Sequence, residues 1–399
     1  MSTTDSDHES AKPERRLPLL RFQSKHQTSK NEELFQVTRD GDYKAVRFAI
    51  KEGADPDCFN EYEETPLFVA IEGKHWGIVK YLLTVVKDLN SENGADGFLT
   101  PLSRLVKMDE LEMVQVCIDA GAEVDYANYD GETALMYAKS LKMVKLLIKN
   151  GASIDTVDTS DLSGRTVIHH FIYNHGDAML DSVKYLVSKG AAVNTIDNNQ
   201  NTEIMTAAYR PAPKTVEYLI ELGVELNYYD GFESTAFTFA VGNGDFLSAR
   251  RLFDAGAETN IDGEYGNIAL RNAVMDGKMD RVKFLVSLGM KMNQSIGGKS
   301  QSFPILIATG NSHPDLVEYL ISLKVDLEVT DMEGNTPLLL AINRLPKFTK
   351  ATEIRTLKLL LTKGVKFSAK NKRGERAMDI AKRRRNEVFI KMLEEAGYE

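Results

Sequence analysis

"GNTPLLLAI", residues 334–342, is a turn glycine, a threonine and a proline followed by a short apolar run closed by an alanine. The chain writes the phrase again as "ETPLFVAI" at 64–71, "LTPLSRLV" at 99–106, "ETALMYAK" at 132–139 and "STAFTFAV" at 234–241. Taking the threonine as a marker gives Thr65, Thr100, Thr133, Thr166, Thr202, Thr235 and Thr336, with Ile268, Phe303 and Arg376 standing in its place elsewhere. The spacings are 35, 33, 33, 36, 33, 33, 35, 33 and 40 residues. A second marker, the glycine that ends each unit, falls at Gly190, Gly223, Gly256 and Gly289 in steps of 33. Self-similarity at a fixed period marks a repeat architecture, in which each unit packs only on its neighbours. With one more unit counted upstream from Glu32, about eleven units fill the chain.

Each recurring position has a physical reason. Proline at 66, 101 and 337 suits a first helical turn, where its missing N–H has no partner to lose, and the threonine before it can cap that turn. The leucine two residues after the marker (Leu67, Leu102, Leu135, Leu338) begins a buried stripe. Five residues after the marker stand Ala70, Ala138, Ala207, Ala240, Ala273, Ala308, Ala341 and Ala381, interrupted by Leu105 and Phe171. Alanine there lets neighbouring helices approach closely, and a larger side chain would overpack them. A second helix reads "IVKYLL" (78–83), "MVKLLI" (143–148), "SVKYLV" (182–187), "RVKFLV" (281–286) and "LVEYLI" (316–321), with apolar residues at helical spacing. It stops at a glycine, which tolerates the left-handed cap; Lys324 takes that place once, which predicts a strained or rebuilt cap there.

A 33-residue period with a Thr-Pro-Leu start resembles the ankyrin repeat, a β-turn followed by two antiparallel helices, over about residues 31–399. The resemblance implies an all-α solenoid of stacked repeats forming a curved, elongated array. Residues 1–30 are expected to be a disordered tail, and residues from about 370 to 399, with "ERAMDIA", resemble a capping repeat. The family's histidine after Thr-Pro-Leu survives as His169; Phe68, Ser103, Met136 and Leu339 fill it elsewhere, so its turn-bridging bonds are expected to be replaced. The fourth unit is short by about one helical turn after "YAKS", the loop 151–165 is three residues longer than usual, and "RLPKFTKAT" (344–352) is an insertion.

Composition narrows the function. The chain is 43% hydrophobic and 27% charged, with no apolar run long enough to cross a bilayer and no secretory leader pattern in its first thirty residues. Their one apolar knot, "RRLPLLRF" (15–22), reads as a docking motif or as a segment folding back on the first repeat. Two cysteines, Cys58 and Cys117, supply neither a disulfide framework nor a zinc site, so a reducing, cytoplasmic location is expected. The formal charge of −9 speaks against nonspecific nucleic-acid binding. Residues 363–385 depart from it with a local balance of +8, which leaves −17 on the rest.

Catalytic chemistry finds no candidate residues. "GGKS" (297–300) has the end of a phosphate loop, but Asn293 stands where the first glycine is required. "HHFIYNH" holds His169, His170 and His175 without a cysteine or carboxylate set to complete a metal site. HExxH and GxSxG are missing from the chain. No catalytic residue, cofactor or metal is therefore expected.

What remains is surface. The resemblance implies binding of another protein through β-turn tips and the concave side of the inner helices. Four tips, "DCFNEYEE" (57–64), "DYANYDGE" (125–132), "NYYDGFES" (227–234) and "NIDGEYGN" (260–267), interleave Phe59, Tyr62, Tyr126, Tyr129, Tyr228, Tyr229, Phe232 and Tyr265 with acidic residues. Tips normally hold small polar residues, and tyrosine is enriched where interface energy concentrates. Two readings stay open: a ridge that captures a basic or extended segment of a partner protein, or rings that pack on adjacent tips. The basic cluster, with Lys372, Arg373, Lys382, Arg383, Arg384 and Arg385, reads as a solvated cap or as a patch for nuclear import or an anionic partner. The expectation is a monomeric, noncatalytic scaffold or adaptor. An inhibitor or effector that blocks one enzyme is the alternative; an enzyme and a nucleic-acid-binding regulator are the competitors from other classes.

Overall fold

The computed structural model describes residues 25–94, 97–159, 163–259, 267–296, 302–343, 351–363, 365–366 and 368–398. The knot at 15–22, "GGKS", Tyr265 and most of the insertion lie outside the described residues. The chain divides into two compact units, Met1–Asn199 and Gln200–Glu399. Both are all-α: among the described residues extended structure is limited to the single bridges Asn93↔Leu99 and Val157↔Thr166.

The first unit consists of helical pairs: Lys25–Arg39 with Tyr43–Lys51, Pro66–Glu72 with Trp76–Leu82, Pro101–Lys107 with Leu111–Asp119, Ala134–Tyr137 with Leu141–Lys149, and Val167–His175 with Leu180–Ser188. The first helix starts at Lys25, so part of the stretch read as tail is helical. In the second unit Glu203–Tyr209 pairs with Pro213–Glu221, Ala236–Asn243 with Phe246–Asp254, and Ile268–Met275 with Met279–Ser287. Pro304–Gly310 with Pro314–Ser322, Pro337–Asn343 with Ala351–Leu361, and Ala377–Arg383 with Glu387–Glu395 complete it. Within each unit the first helices of successive pairs pack side by side. The fold is the all-α stack of β-turn and helical hairpin that the period predicts.

The threonines act as caps. Thr65, Thr100, Thr166, Thr202, Thr235 and Thr336 each accept the amide three residues on, and Pro66, Pro101 and Pro337 sit in the first turn. Ile268 departs from the register: it is the first helical residue, and Asn267 caps the helix by accepting from Leu270 N at 2.9 Å. Thr133 makes no cap bond, and its hydroxyl is buried without a partner. Its helix is a single 3₁₀ turn, Ala134–Tyr137, followed at once by extended Ala138, which is the shortening read from the sequence. The alanines five residues after the marker are all buried, as are Leu105 and Phe171. His169 keeps the turn bond, Nδ1 to Thr166 Oγ1 at 2.9 Å, and Ser103 Oγ takes the same place against Thr100 Oγ1 at 3.0 Å.

The second helices end in the left-handed region at Gly53, Gly121, Gly151, Gly190, Gly223, Gly256 and Gly289, with φ between 72° and 105°. Lys324 holds the same cap with φ 58°, so the cap is kept there at the cost of strain, about 1 kcal/mol for a residue with a Cβ. Four residues past the glycine stands a side-chain acceptor that sequence reading did not pick out. Asp57, Asp125, Asp155, Asn227 and Asn293 accept the backbone N–H of Lys87, Ser153, Ala192, Glu258 and Asp326 in the following repeat, at 2.7 to 3.0 Å. Asn31 does the same for Asp55, Asn90 for Glu123, and Glu328 for Lys366. Each bond spans one repeat, so it fixes the register between neighbours. Leu147 is fully buried between repeats. Leu147→Ala is expected to cost about 2–5 kcal/mol in urea denaturation. Asp125→Ala, which removes the acceptor for both Ser153 N and Ser153 Oγ, is expected to cost about 1 kcal/mol, and Asp125→Asn less.

The longer loop is held from inside. Asp158, whose side chain is 1% exposed, accepts from Ser163 Oγ at 2.7 Å, Gly164 N at 2.9 Å, Arg165 N at 3.2 Å and His170 Nε2 at 2.8 Å. Burial pushes this carboxyl up, but the donors, His170 and Ser163 foremost, outweigh it and hold it at about 2, below its ordinary 3.8. A carboxylate with a depressed folded pKa stabilises the fold above its unfolded pKa, and that contribution is lost as pH falls toward 2. The gap in urea midpoint between wild type and Asp158→Asn is therefore expected to be widest above about pH 5 and to close as the pH approaches 2. A gap that stays constant across that range would show the carboxylate to be unimportant.

Candidate interaction surface

Each tip is built on one side chain. Asn60 Oδ1 accepts Tyr62 N and Glu64 N at 2.9 Å; Asn128 accepts Asp130 N and Glu132 N; Asp230 accepts Phe232 N and Ser234 N at 2.8 Å. Asp331 and Asn371 repeat the pattern with Glu333, Asn335, Arg373 and Glu375. The anchor stands five residues before the marker in each of these tips, a signal present in the sequence and missed there. Asparagine and aspartate suit it because a short oxygen-bearing side chain satisfies the turn's own amides. Tips also bond to one another: Thr159 N donates to Asp130 O at 2.9 Å, Asn198 N to Ser163 O at 2.8 Å and Lys372 N to Glu333 O at 2.9 Å. Three residues past the anchor the backbone turns left-handed. Gly131, Gly334 and Gly374 adopt that conformation without a Cβ clash, whereas Glu63 and Glu233 hold φ 58° in the two tips that carry Tyr62 and Phe232.

In the first unit Phe59, Tyr62 and Tyr129 are exposed, and in the second Tyr229 and Phe232, the last at 81%. Tyr129 leans on Phe98 with ring centroids 5.3 Å apart. Tyr126 and Tyr228 are half-buried. Tyr126 donates its hydroxyl to Glu92 Oε1 at 3.3 Å, and Tyr228 stacks on Tyr229 at 6.4 Å. The aromatics thus form two groups, one per unit; Tyr265 lies outside the described residues. The tips also expose aliphatic residues that were not predicted: Val157 and Ile196, just before their anchors like Phe59 and Tyr229, and Met332. On the first helices of the second unit Tyr209 and Met275 are exposed as well.

The electrostatics of the first unit's tips are crowded. Burial, then Glu132 and Asp158, push the Asp130 carboxyl up; burial, against the Tyr126 hydrogen bond, raises Glu92. At the far end of the second unit Lys372, Arg373, Lys382, Arg383, Arg384 and Arg385 are all exposed. Arg383 pairs with Glu375 at 2.6 Å and reaches Asn343 Oδ1 at 3.1 Å.

Groups with chemical potential elsewhere are engaged. Cys58 and Cys117 are buried thiols pushed up to about 12, chiefly by burial, which leaves little thiolate to react. His170 lies within 2.8 Å of Asp158 and 3.9 Å of Glu132, and His175 is lowered by burial and by Lys139. Among the described residues no three His, Cys, Asp or Glu side chains cluster to hold a metal ion, and no helix is long and apolar enough to cross a membrane.

Comparison with known proteins agrees with this geometry. The family described as "Ankyrin repeats (3 copies)" matches residues 84–158, 139–230 and 204–296, and "Ankyrin repeats (many copies)" matches 34–83. The Caenorhabditis elegans protein glp-1 is 30% identical over 135 residues, covering 30% of this chain and 10% of that protein. Human protein phosphatase 1 regulatory subunit 27 is 36% identical over 72 residues, covering 18% of this chain and 46% of its own length. The putative ankyrin repeat protein FPV014 of fowlpox virus is 28% identical over 138 residues, covering 34% and 31%. The chain therefore spans less than half the length of each of these relatives. The human ASB11 ankyrin repeat domain superposes on 54% of this chain and 91% of its own with a TM-score of 0.45 at 19% identity. The Bcl-3 ankyrin repeat domain covers 56% and 96% with a TM-score of 0.45 at 24% identity. With profiles matching from residue 34 to 296 and the helical pairs continuing beyond, the chain belongs to the ankyrin repeat family.

Proposed function

We propose that the chain is a noncatalytic protein-interaction scaffold or adaptor that takes its partner at the aromatic tips. The observation that carries this reading is the exposure of Phe59, Tyr62, Tyr129, Tyr229 and Phe232 on turns whose backbone is held by the side chains of Asn60, Asn128 and Asp230. Apolar area left in water on a rigid base is what an interface core uses, because little ordering entropy remains to be lost on binding. The acidic side chains interleaved with these rings, Glu61, Glu63, Asp130 and Glu132 among them, favour a partner segment that brings positive charge. Both thiols are free and buried, which supports work in a reducing, cytoplasmic setting, and we take the chain to act as a monomer. Blocking of one enzyme by an inhibitor or effector would use the same tips.

The test is affinity purification with mass spectrometry, comparing wild type with a variant carrying Tyr62→Ala, Tyr129→Ala, Tyr229→Ala and Phe232→Ala. The variant is expected to melt within a few degrees of wild type and to lose the wild type's specific partners. If it melts far lower, or keeps every partner, the rings serve only to steady the tips. A salt titration against bulk duplex DNA separates the regulator class: the scaffold reading expects no binding at physiological salt. Tight binding that weakens steeply with salt would favour the nucleic-acid reading.

A further inference from the structure

On the second helices, basic side chains recurrently meet a carboxylate of a neighbouring second helix. Lys80 meets Glu112 at 2.8 Å in the first unit; Arg251 meets Glu217 at 3.0 Å and Arg355 meets Glu318 at 2.8 Å in the second. The helix Leu141–Lys149 breaks this pattern. Lysine stands at 142, the place that Glu112 takes on the preceding second helix, and the helix contains no acidic residue. Met143, Val144 and Leu147 bury one side of it, which turns Lys142, Lys145 and Lys149 outward along a single exposed face. At 1.5 Å per residue that row is about 10 Å long. Among the described residues no ion pair forms at these three lysines.

The row runs into a groove. Between this helix, the loop that follows it and the end of Leu180–Ser188 lies an open cavity of about 630 Å³, with Ile148, Ala152 and Ile154 as its apolar lining and Lys189 beside them. Asp155, which also lines it, is committed to Ala192 N at 3.0 Å. Tyr185 stands between two cations: Lys145 Nζ lies 5.4 Å and Lys189 Nζ 5.6 Å from its ring centre. The ring links the lysine row to the groove and leaves both ammonium charges intact. Lys189, like the other three, has no ion pair among the described residues.

We propose that this outer face binds a short acidic segment of a partner protein, with its carboxylates on Lys142, Lys145 and Lys149 and one apolar side chain in the groove against Ile148 and Ile154. Charge complementarity selects the acidic residues, and burial of the apolar side chain supplies affinity that a row of exposed ion pairs lacks. A bare polyanion would use the lysines and leave the groove empty, so the groove favours a peptide. The proposal goes beyond the tip reading. It gives the scaffold a second surface of opposite charge, on helices and not on turns, and either surface can fail alone.

The test is selection of a phage-displayed random peptide library on the full chain, with affinities of the enriched peptides measured by fluorescence anisotropy. Wild type is compared with Lys142→Glu/Lys145→Glu, with Ile154→Ser and with the tip pair Tyr62→Ala/Tyr129→Ala. The enriched peptides are expected to include a class with two or more Asp or Glu beside an apolar residue. That class should bind Lys142→Glu/Lys145→Glu at least about tenfold more weakly, Ile154→Ser about threefold or more weakly, and the tip pair as tightly as wild type. Circular dichroism melting shows that each variant is folded; Lys142 and Lys145 are exposed, and their change is expected to leave the melt intact. If Ile154→Ser melts lower, exchanging the peptide's apolar residue for Ser makes the same comparison on the wild-type chain. Absence of an acidic class, or acidic peptides indifferent to the lysine variant, would overturn the proposal. Binding of duplex DNA or phosphatidylserine vesicles in place of acidic peptides, and lost in Lys142→Glu/Lys145→Glu, would overturn it in favour of a polyanion. Acidic peptides that depend on Tyr62 and Tyr129 but not on the lysines would overturn it while leaving the tip reading in place.

Discussion

A helical hairpin of this kind has apolar surface on both flanks, and only another hairpin can cover it. That constraint governs each unit. Residues five past the marker lie where helix meets helix, so alanine recurs from Ala70 to Ala381, and these positions are buried, Leu105 and Phe171 included. Burial is not directional, however, and a flat apolar face could slide. The acceptors four residues past Gly53, Gly121, Gly151, Gly223 and Gly289 remove that freedom: Asp125 finds Ser153 N, and Asn293 finds Asp326 N, only in one register. Packing supplies most of the free energy, and the side-chain to backbone ladder supplies the alignment.

A stack aligned in this way leaves its turns free to vary. The tips keep a fixed base, the Asn or Asp anchor with its two turn amides, and change nearly everything else. Where glycine would relax the turn, Glu63 and Glu233 are held left-handed, next to the tips' most exposed rings. Strain of this kind persists only where the surroundings over-determine the backbone. The charge pattern has a similar logic, with carboxylates crowded around Asp130 in the first unit and guanidiniums gathered around Asn343 in the second.

Much of this was legible in the sequence because it repeats. The period, the Thr-Pro-Leu caps, the closing glycines and the shortened fourth unit all follow from position alone. What escaped depends on orientation or on a neighbour. Tyr126 reads like Tyr129, but its hydroxyl is committed to Glu92 of the preceding repeat. Val157 and Ile196 stand next to the buried Asp158 and Asp197 and face water, which spacing alone does not reveal. Ile268 was counted as a marker because the spacing put it there, while Asn267 does the capping. Tyr209 and Met275 lie on helices whose apolar residues are otherwise core, so nothing in the sequence singles them out. The anchors and the ladder acceptors were readable, but as scattered Asn and Asp they look like ordinary loop residues.

Native-state hydrogen exchange resolved by residue tests the central claim most directly. If hairpins are aligned by the ladder, the amides of Glu123, Ser153 and Ala192 in the first unit, and of Glu258 and Asp326 in the second, should exchange as slowly as the helices beside them. Those protected loop amides should recur once per repeat. Free exchange at these amides while the helices stay protected, or protection confined to one central region of a unit, would contradict the account.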